Sequence, residues 1–165
     1  MSKVSPYRVL GIDPGLNITG YAAVDVGAGE PVIVEAGTVR TSARADTAER
    51  IGQIHADLAE LLAELKPHLV AVEKLYSHYK HPRTSILMAH ARGVILLAAQ
   101  QAGVAVRDLA ATEVKKNLTG NGHASKQQVQ RAIQSLCRLA ELPQPPDVAD
   151  AIAIALCAAR KLGPS

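Results

Sequence analysis

The sequence predicts an α/β fold, a mixed sheet with helices on both faces. Three strand-length apolar runs open the chain in close succession, and helical and strand patterns alternate after them. That order is expected when an antiparallel meander feeds into parallel crossover units. The 165 residues suit one domain, residues 1–165, with a single well-buried core. Hydrophobic residues make up 48% of the chain, with no Trp and no Phe, so the core must be aliphatic and rich in alanine.

Tyr7–Asp13 reads as a strand buried on both faces, because Val9-Leu10-Gly11-Ile12 is continuously apolar. Asp13-Pro14-Gly15 is turn chemistry. Strands over Ile18–Val26 and Val32–Thr41, joined by Gly27-Ala28-Gly29-Glu30, read as a hairpin. Asp46 and Glu49 have capping-box spacing, and Ile51, Ile54, Leu58, Leu61, Leu62 and Leu65 form the apolar stripe of the helix that follows. Pro67 ends that helix, and His68–Glu73 is the next strand. A loop rich in Tyr, His, Lys and Pro spans Leu75–Arg83. The helix from Thr84 to Ala102 is apolar nearly all round, which requires burial on more than one side, in the core or against a second subunit. A strand over Val104–Leu109, a short helix over Thr112–Leu118 and a glycine loop over Thr119–His123 come next. Ser125 and Gln128 form a second capping-box pattern before Val129, Ala132, Ile133, Leu136 and Cys137. After a proline-rich connection the final helix runs to Leu162 and stops at Gly163-Pro164.

Right-handed crossovers would bring the first and fourth strands side by side. Their C-terminal ends carry Asp13 and Glu73. Asp147 and Asp150, three apart at the start of the last helix, share a face. Acids are rarely buried unless paired or holding a metal, so three segments each delivering carboxylate to the end of an apolar element point to a shared cation site and an anionic substrate. Taken singly, each acid has a structural reading as well. Asp13 suits a turn, Glu73 a solvent-reaching strand end, Asp147 an N-cap, and Asp150 a favourable place on the helix dipole.

The net charge of +3 is unevenly spread: residues 67–140 hold 10 basic and 3 acidic side chains, whereas residues 1–66 hold 6 and 9. The basic segment is a footprint for phosphates or an ordinary solvated surface. No apolar run reaches the roughly 18 residues of a spanning helix, and the start has no signal-like apolar region. Cys137 and Cys157 fall on apolar helix faces, so a reduced, cytoplasmic protein is expected.

Leu10-Gly-Ile-Asp-Pro-Gly15, Thr19-Gly20-Tyr21, Val72-Glu73, Ala91-Arg92-Gly93-Val94, Val114-Lys115, Ser125-Lys126 and Asp147-Val-Ala-Asp150-Ala-Ile-Ala occur in an order that resembles the RuvC Holliday-junction resolvase family over nearly the whole chain. The resemblance implies a ribonuclease H-like fold with a five-stranded sheet. It also implies a homodimeric, divalent-metal-dependent endonuclease that makes paired symmetric nicks in four-way DNA junctions during recombination and repair. Asp13, Glu73, Asp147 and Asp150 match the family's catalytic acids, with two Mg²⁺ per site expected and Mn²⁺ able to substitute; carboxylates suit such hard cations. Some relatives carry His where this chain has Asp147. Lys115 and Lys126 match basic positions used at the scissile phosphate and junction backbone, and Tyr76 an aromatic that stacks on an unpaired base. Lys116 reads better as a surface lysine. His78, His81 and Arg83 read equally as solvated or as backbone contacts, His123 in the glycine loop suits a phosphate contact rather than general-base work, and Tyr79 has no support. A branch-migration motor is the further partner implied. The alternatives are a YqgF-type ribonuclease H-like nuclease acting on RNA, a sugar-kinase/actin-class protein and a non-catalytic junction-binding scaffold.

Overall fold

The structure is a computed structural model that describes residues 5–76 and 80–163. It contains strands β1 (Tyr7–Asp13), β2 (Ile18–Val26), β3 (Val32–Arg40), β4 (Leu69–Glu73) and β5 (Ala105–Leu109), and helices α1 (Thr47–Leu65), α2 (Pro82–Gln101), α3 (Ala111–Thr119), α4 (Lys126–Leu136) and α5 (Pro146–Leu162). The sheet order is β3-β2-β1-β4-β5. β1, β2 and β3 pair antiparallel, and β4 and β5 join in parallel with β1, so the expected mixed sheet is present.

Strand alternation divides the core into two layers. Leu10 and Ile12 of β1 and Val70 and Val72 of β4 pack with Ile54, Leu58 and Leu62 of α1 and Ala91 and Ile95 of α2. Val9 of β1, Leu69 and Ala71 of β4 and Leu109 of β5 face the other way, onto α5, with Val114 of α3 and Val129 and Ile133 of α4 in the same cluster. Asp13 and Glu73 continue the second of these rows, so both side chains emerge on the α5 side.

The α5 helix lies unusually close to the sheet, for a reason readable in its residues. A Cβ on Gly11 would stand 2.2 Å from the Ala151 carbonyl oxygen, and one on Gly20 would stand 2.1 Å from that of Asp147. Glycine on the strands and alanine on the helix remove the side chains that would hold the two apart. Pro146 occupies the first turn, where its missing N–H costs nothing.

The α1 helix starts as its sequence pattern suggests, with the Asp46 carboxylate accepting from the Glu49 amide at 2.8 Å. The full reciprocal box forms at α4 between Ser125 and Gln128. Boundaries differ from expectation by one or two residues, as fraying ends do. The largest difference in environment concerns α2: Ala91, Ile95, Ala98 and Ala99 are buried, but Ile86 and Leu97 are 58% and 47% exposed. This helix covers one face of the sheet and is not central in the core.

Candidate active site

β1 and β4 run parallel with Ile12 beside Val72. One residue further along, Asp13 and Glu73 leave the same edge of the sheet on the same face. Across β1, Asp13 is registered with Gly20, and the bare Gly20 Cα lies beneath the Asp147 backbone. The close seating of α5 therefore brings its first turn over the end of β1. Asp147 does not cap the helix: the N-cap position is Pro145, with no side-chain cap, and Asp147 lies inside the first turn. That removes its simplest structural role.

The electrostatics follow from this crowding. Withdrawal from water, then the charges of Asp150, Glu73 and Asp147, push the Asp13 carboxyl from 3.8 up to about 8. Asp150 and Glu73 lie close enough to share a proton with it. Burial raises Glu73 as well, with Asp150 adding to the effect and Lys115 opposing it. Burial raises Asp150, with Asp147 adding and Lys126 and Lys115 opposing. All four acids are half-buried. Among the described residues, no three acidic, imidazole or thiol groups close into a ready-made metal cage. The acids instead form an open, negatively charged rim.

Lys115 and Lys126 reach that rim from separate elements. Together with Glu73 and Asp150 they line a cleft of about 170 Å³ whose apolar wall includes Val114, Val129 and Ile154. Lys126 is the first residue of α4, held there by the capping box, in which Ser125 Oγ accepts from the Gln128 amide at 3.2 Å. Lys116, by contrast, lies on a different surface depression with Glu113 and Lys161. Tyr76 follows β4 and is 56% exposed. His81 sits at the α2 N-cap without a side-chain cap bond, and Arg83 and His123 are exposed. His78 and Tyr79 lie outside the described residues.

Two supports of the site were not assigned a role from sequence. Arg92 donates to the Glu73 carbonyl at 3.4 Å and pairs with Asp108, tying α2 to the ends of β4 and β5. Thr19, fully buried, bonds to the turn after Asp13. A threonine at the start of a largely apolar strand, four residues beyond Gly15, is the signal that could have found the second. For Arg92, the signal is a cation in the middle of a helix whose other arginine, Arg83, sits in its first turn.

Two parallel strand ends and a helix start, all carrying acid and flanked by lysine, stand on the sheet order of a ribonuclease H-like protein. The family model described as crossover junction endodeoxyribonuclease RuvC matches residues 9–158. The crossover junction endodeoxyribonuclease RuvC of Rhodopirellula baltica is 51% identical over 150 residues, covering 90% of this chain and 84% of that protein. A solved structure of Thermus thermophilus RuvC in complex with Holliday junction substrate superposes with a TM-score of 0.87 at 38% identity, covering 93% of each chain. The yeast mitochondrial Holliday junction resolvase Ydc2 shares the fold, with a TM-score of 0.66 at 15% identity, covering 94% of this chain and 81% of that one. The chain belongs to the RuvC family of crossover junction endodeoxyribonucleases.

Proposed function

We propose that this protein resolves four-way DNA junctions by paired hydrolytic nicks, acting as a homodimer that requires divalent cations. The observation that carries the reading is the gathering of Asp13, Glu73, Asp147 and Asp150 from β1, β4 and α5 into one electrostatically coupled group. Four acids there would repel DNA unless cations stood between them and the phosphates. Their donor set fits Mg²⁺ or Mn²⁺: all oxygen, negatively charged, and open enough to leave coordination places for water and a phosphate oxygen. Mg²⁺ in particular is commonly held by one or two carboxylates plus substrate phosphate, so a closed cage is not required.

Asp13 would be the shared ligand, with Glu73, Asp147 and Asp150 completing the set. Bound there, the cations supply charge neutralisation at the phosphate and a lowered pKa for water. The chain's own residues do the rest of the positioning. Lys115 and Lys126 hold phosphate as point charges in the cleft beside the acids. Tyr76 offers an exposed ring on which an unpaired base can stack, worth roughly 1–3 kcal/mol in single-strand systems. The outward stripe of α2 with Ile86 and Leu97 supports association with a second copy, and two-fold symmetry then presents two sites to opposing strands of the junction. Action in the cytoplasm is in keeping with two free cysteines and with the absence, among the described residues, of any helix long and apolar enough to cross a membrane. A branch-migration motor as a further partner follows from the family resemblance alone.

The test compares a four-way junction, linear duplex and structured RNA, each with no metal, Mg²⁺ or Mn²⁺. The junction should be bound without metal and nicked symmetrically once metal is added. Equal cutting of duplex and junction would overturn the resolvase reading, and cutting of RNA alone would favour the YqgF-type alternative.

A further inference from the structure

Thr19 is the one polar side chain that is fully buried among the described residues. Buried hydroxyls need partners, and this one has two on a single residue. Its Oγ1 donates to the Gly15 carbonyl at 2.7 Å and accepts from the Gly15 amide at 3.3 Å. Gly15 is the second residue after Asp13, in the turn linking β1 to β2. A Cβ on Gly15 would stand 2.2 Å from the Ile18 carbonyl oxygen, so the turn is folded tightly back on the start of β2. The turn is also held on its outer side. Thr41 Oγ1 donates to the Leu16 carbonyl at 2.5 Å, the Thr41 amide donates to the Asn17 carbonyl at 3.2 Å, and Arg50 bonds to the Asn17 side chain. Those contacts hold residues further from Asp13. Thr19 acts at Gly15, and its strand neighbour Gly20 lies beneath Asp147.

We infer that Thr19 is a positioning residue of the nuclease site: its buried hydroxyl locks the turn after Asp13 and so fixes the aim of that carboxylate relative to the acids of α5. A hydroxyl in an apolar layer costs free energy unless bonded, and valine would fill the same volume while leaving the Gly15 amide and carbonyl without this partner. What the hydroxyl adds beyond packing is therefore the shape of the turn, and misplacing a catalytic group by about 1 Å can cost on the order of 10²-fold in rate. The inference rests on the proposed junction cleavage, and the experiment separates the two.

Thr19→Val, Thr19→Ala and Thr19→Ser are compared with the unaltered protein on a four-way junction. The readouts are the single-turnover cleavage rate with saturating protein and Mg²⁺, junction affinity in metal-free buffer, thermal melting, and hydrogen exchange of the Gly15 amide. Thr19→Val is expected to cleave about 10- to 100-fold more slowly while its metal-free junction affinity stays within about twofold. Its Gly15 amide should exchange faster, and Thr19→Ser should regain most of the rate. Thr19→Val cleaving at the unaltered rate would overturn the inference. So would rate and junction affinity falling together, or failure of both Thr19→Val and Thr19→Ala to fold, since the hydroxyl would then serve the fold as a whole. If the unaltered protein does not cut the junction, the functional reading itself falls, a result distinct from all of these.

Discussion

β1 carries charge near both ends, and the two ends follow opposite rules. Near its start, Arg8 donates to both carboxylate oxygens of Asp25 on β2, at 2.6 and 2.8 Å, and to the Leu65 carbonyl at the end of α1, at 2.8 Å. The charges there are matched, and the contacts join sheet to helix. At its far end Asp13 meets Asp150, Glu73 and Asp147, and the nearby cations, Lys115 and Lys126, act on Glu73 and Asp150. The strand is the same, but Asp13 is withdrawn from water far more than Arg8. The sign of the neighbours differs as well. The first arrangement holds the fold together; the second opposes it, and is explained by what it binds.

The largest expected effect that separates the two ends is on chemistry. Asp13→Asn should lower single-turnover cleavage by on the order of 10³-fold, with metal-free junction affinity nearly unchanged. Arg8→Met should do the reverse. It strands Asp25 and a helix-end carbonyl, so stability should fall by about 2–4 kcal/mol, read by denaturant unfolding, while cleavage at 25 °C stays within about threefold. An Arg8→Met protein that loses cleavage but not stability would erase the distinction.

Gly20→Ala comes next. Its new methyl would meet the Asp147 carbonyl, forcing α5 off the sheet, and should cost about 1–3 kcal/mol together with part of the activity. Gly27→Ala, where a Cβ would meet nothing within 4 Å, is the control and should leave cleavage unchanged.

The smallest effect is a pH dependence of metal-free stability. Asp13 has a folded pKa above its unfolded value, so it binds a proton more tightly when folded. Its favourable contribution is full below about pH 4 and is lost as pH rises through about 8. Asp13→Asn should therefore melt higher than the unaltered protein at pH 8, by at least about 2–4 °C, and the gap should shrink towards pH 5. A gap that widens on acidification would contradict the sign.

The sequence made the sheet legible because burial on both faces leaves continuous apolar strands, and because chain order with right-handed crossovers restricts which strands can be neighbours. Asp13 and Glu73 could be brought together on that basis. Asp147 and Asp150 could be set on one helix face, but not over β1, because that depends on how closely α5 approaches. The approach is set by Gly11, Gly20 and the alanines of α5, whose lack of side chains means something only against a partner surface. The surroundings of α2 were undecided for a related reason. Leu97 and Ile95 look alike in sequence, yet one is exposed and the other buried. Thr19 was visible as part of a pattern, but its bonding to Gly15 depends on a turn whose shape local propensity does not specify.

The most direct test of the acid site is a pair of melting curves, for the unaltered protein and Asp13→Asn, each at pH 8 with and without Mg²⁺ and without DNA. Cations that bind the folded acids should raise the melting temperature of the unaltered protein and reverse its deficit relative to Asp13→Asn, while the variant responds far less. Mg²⁺ leaving the unaltered protein unchanged, or raising both proteins equally, would contradict a cation site at these four carboxylates.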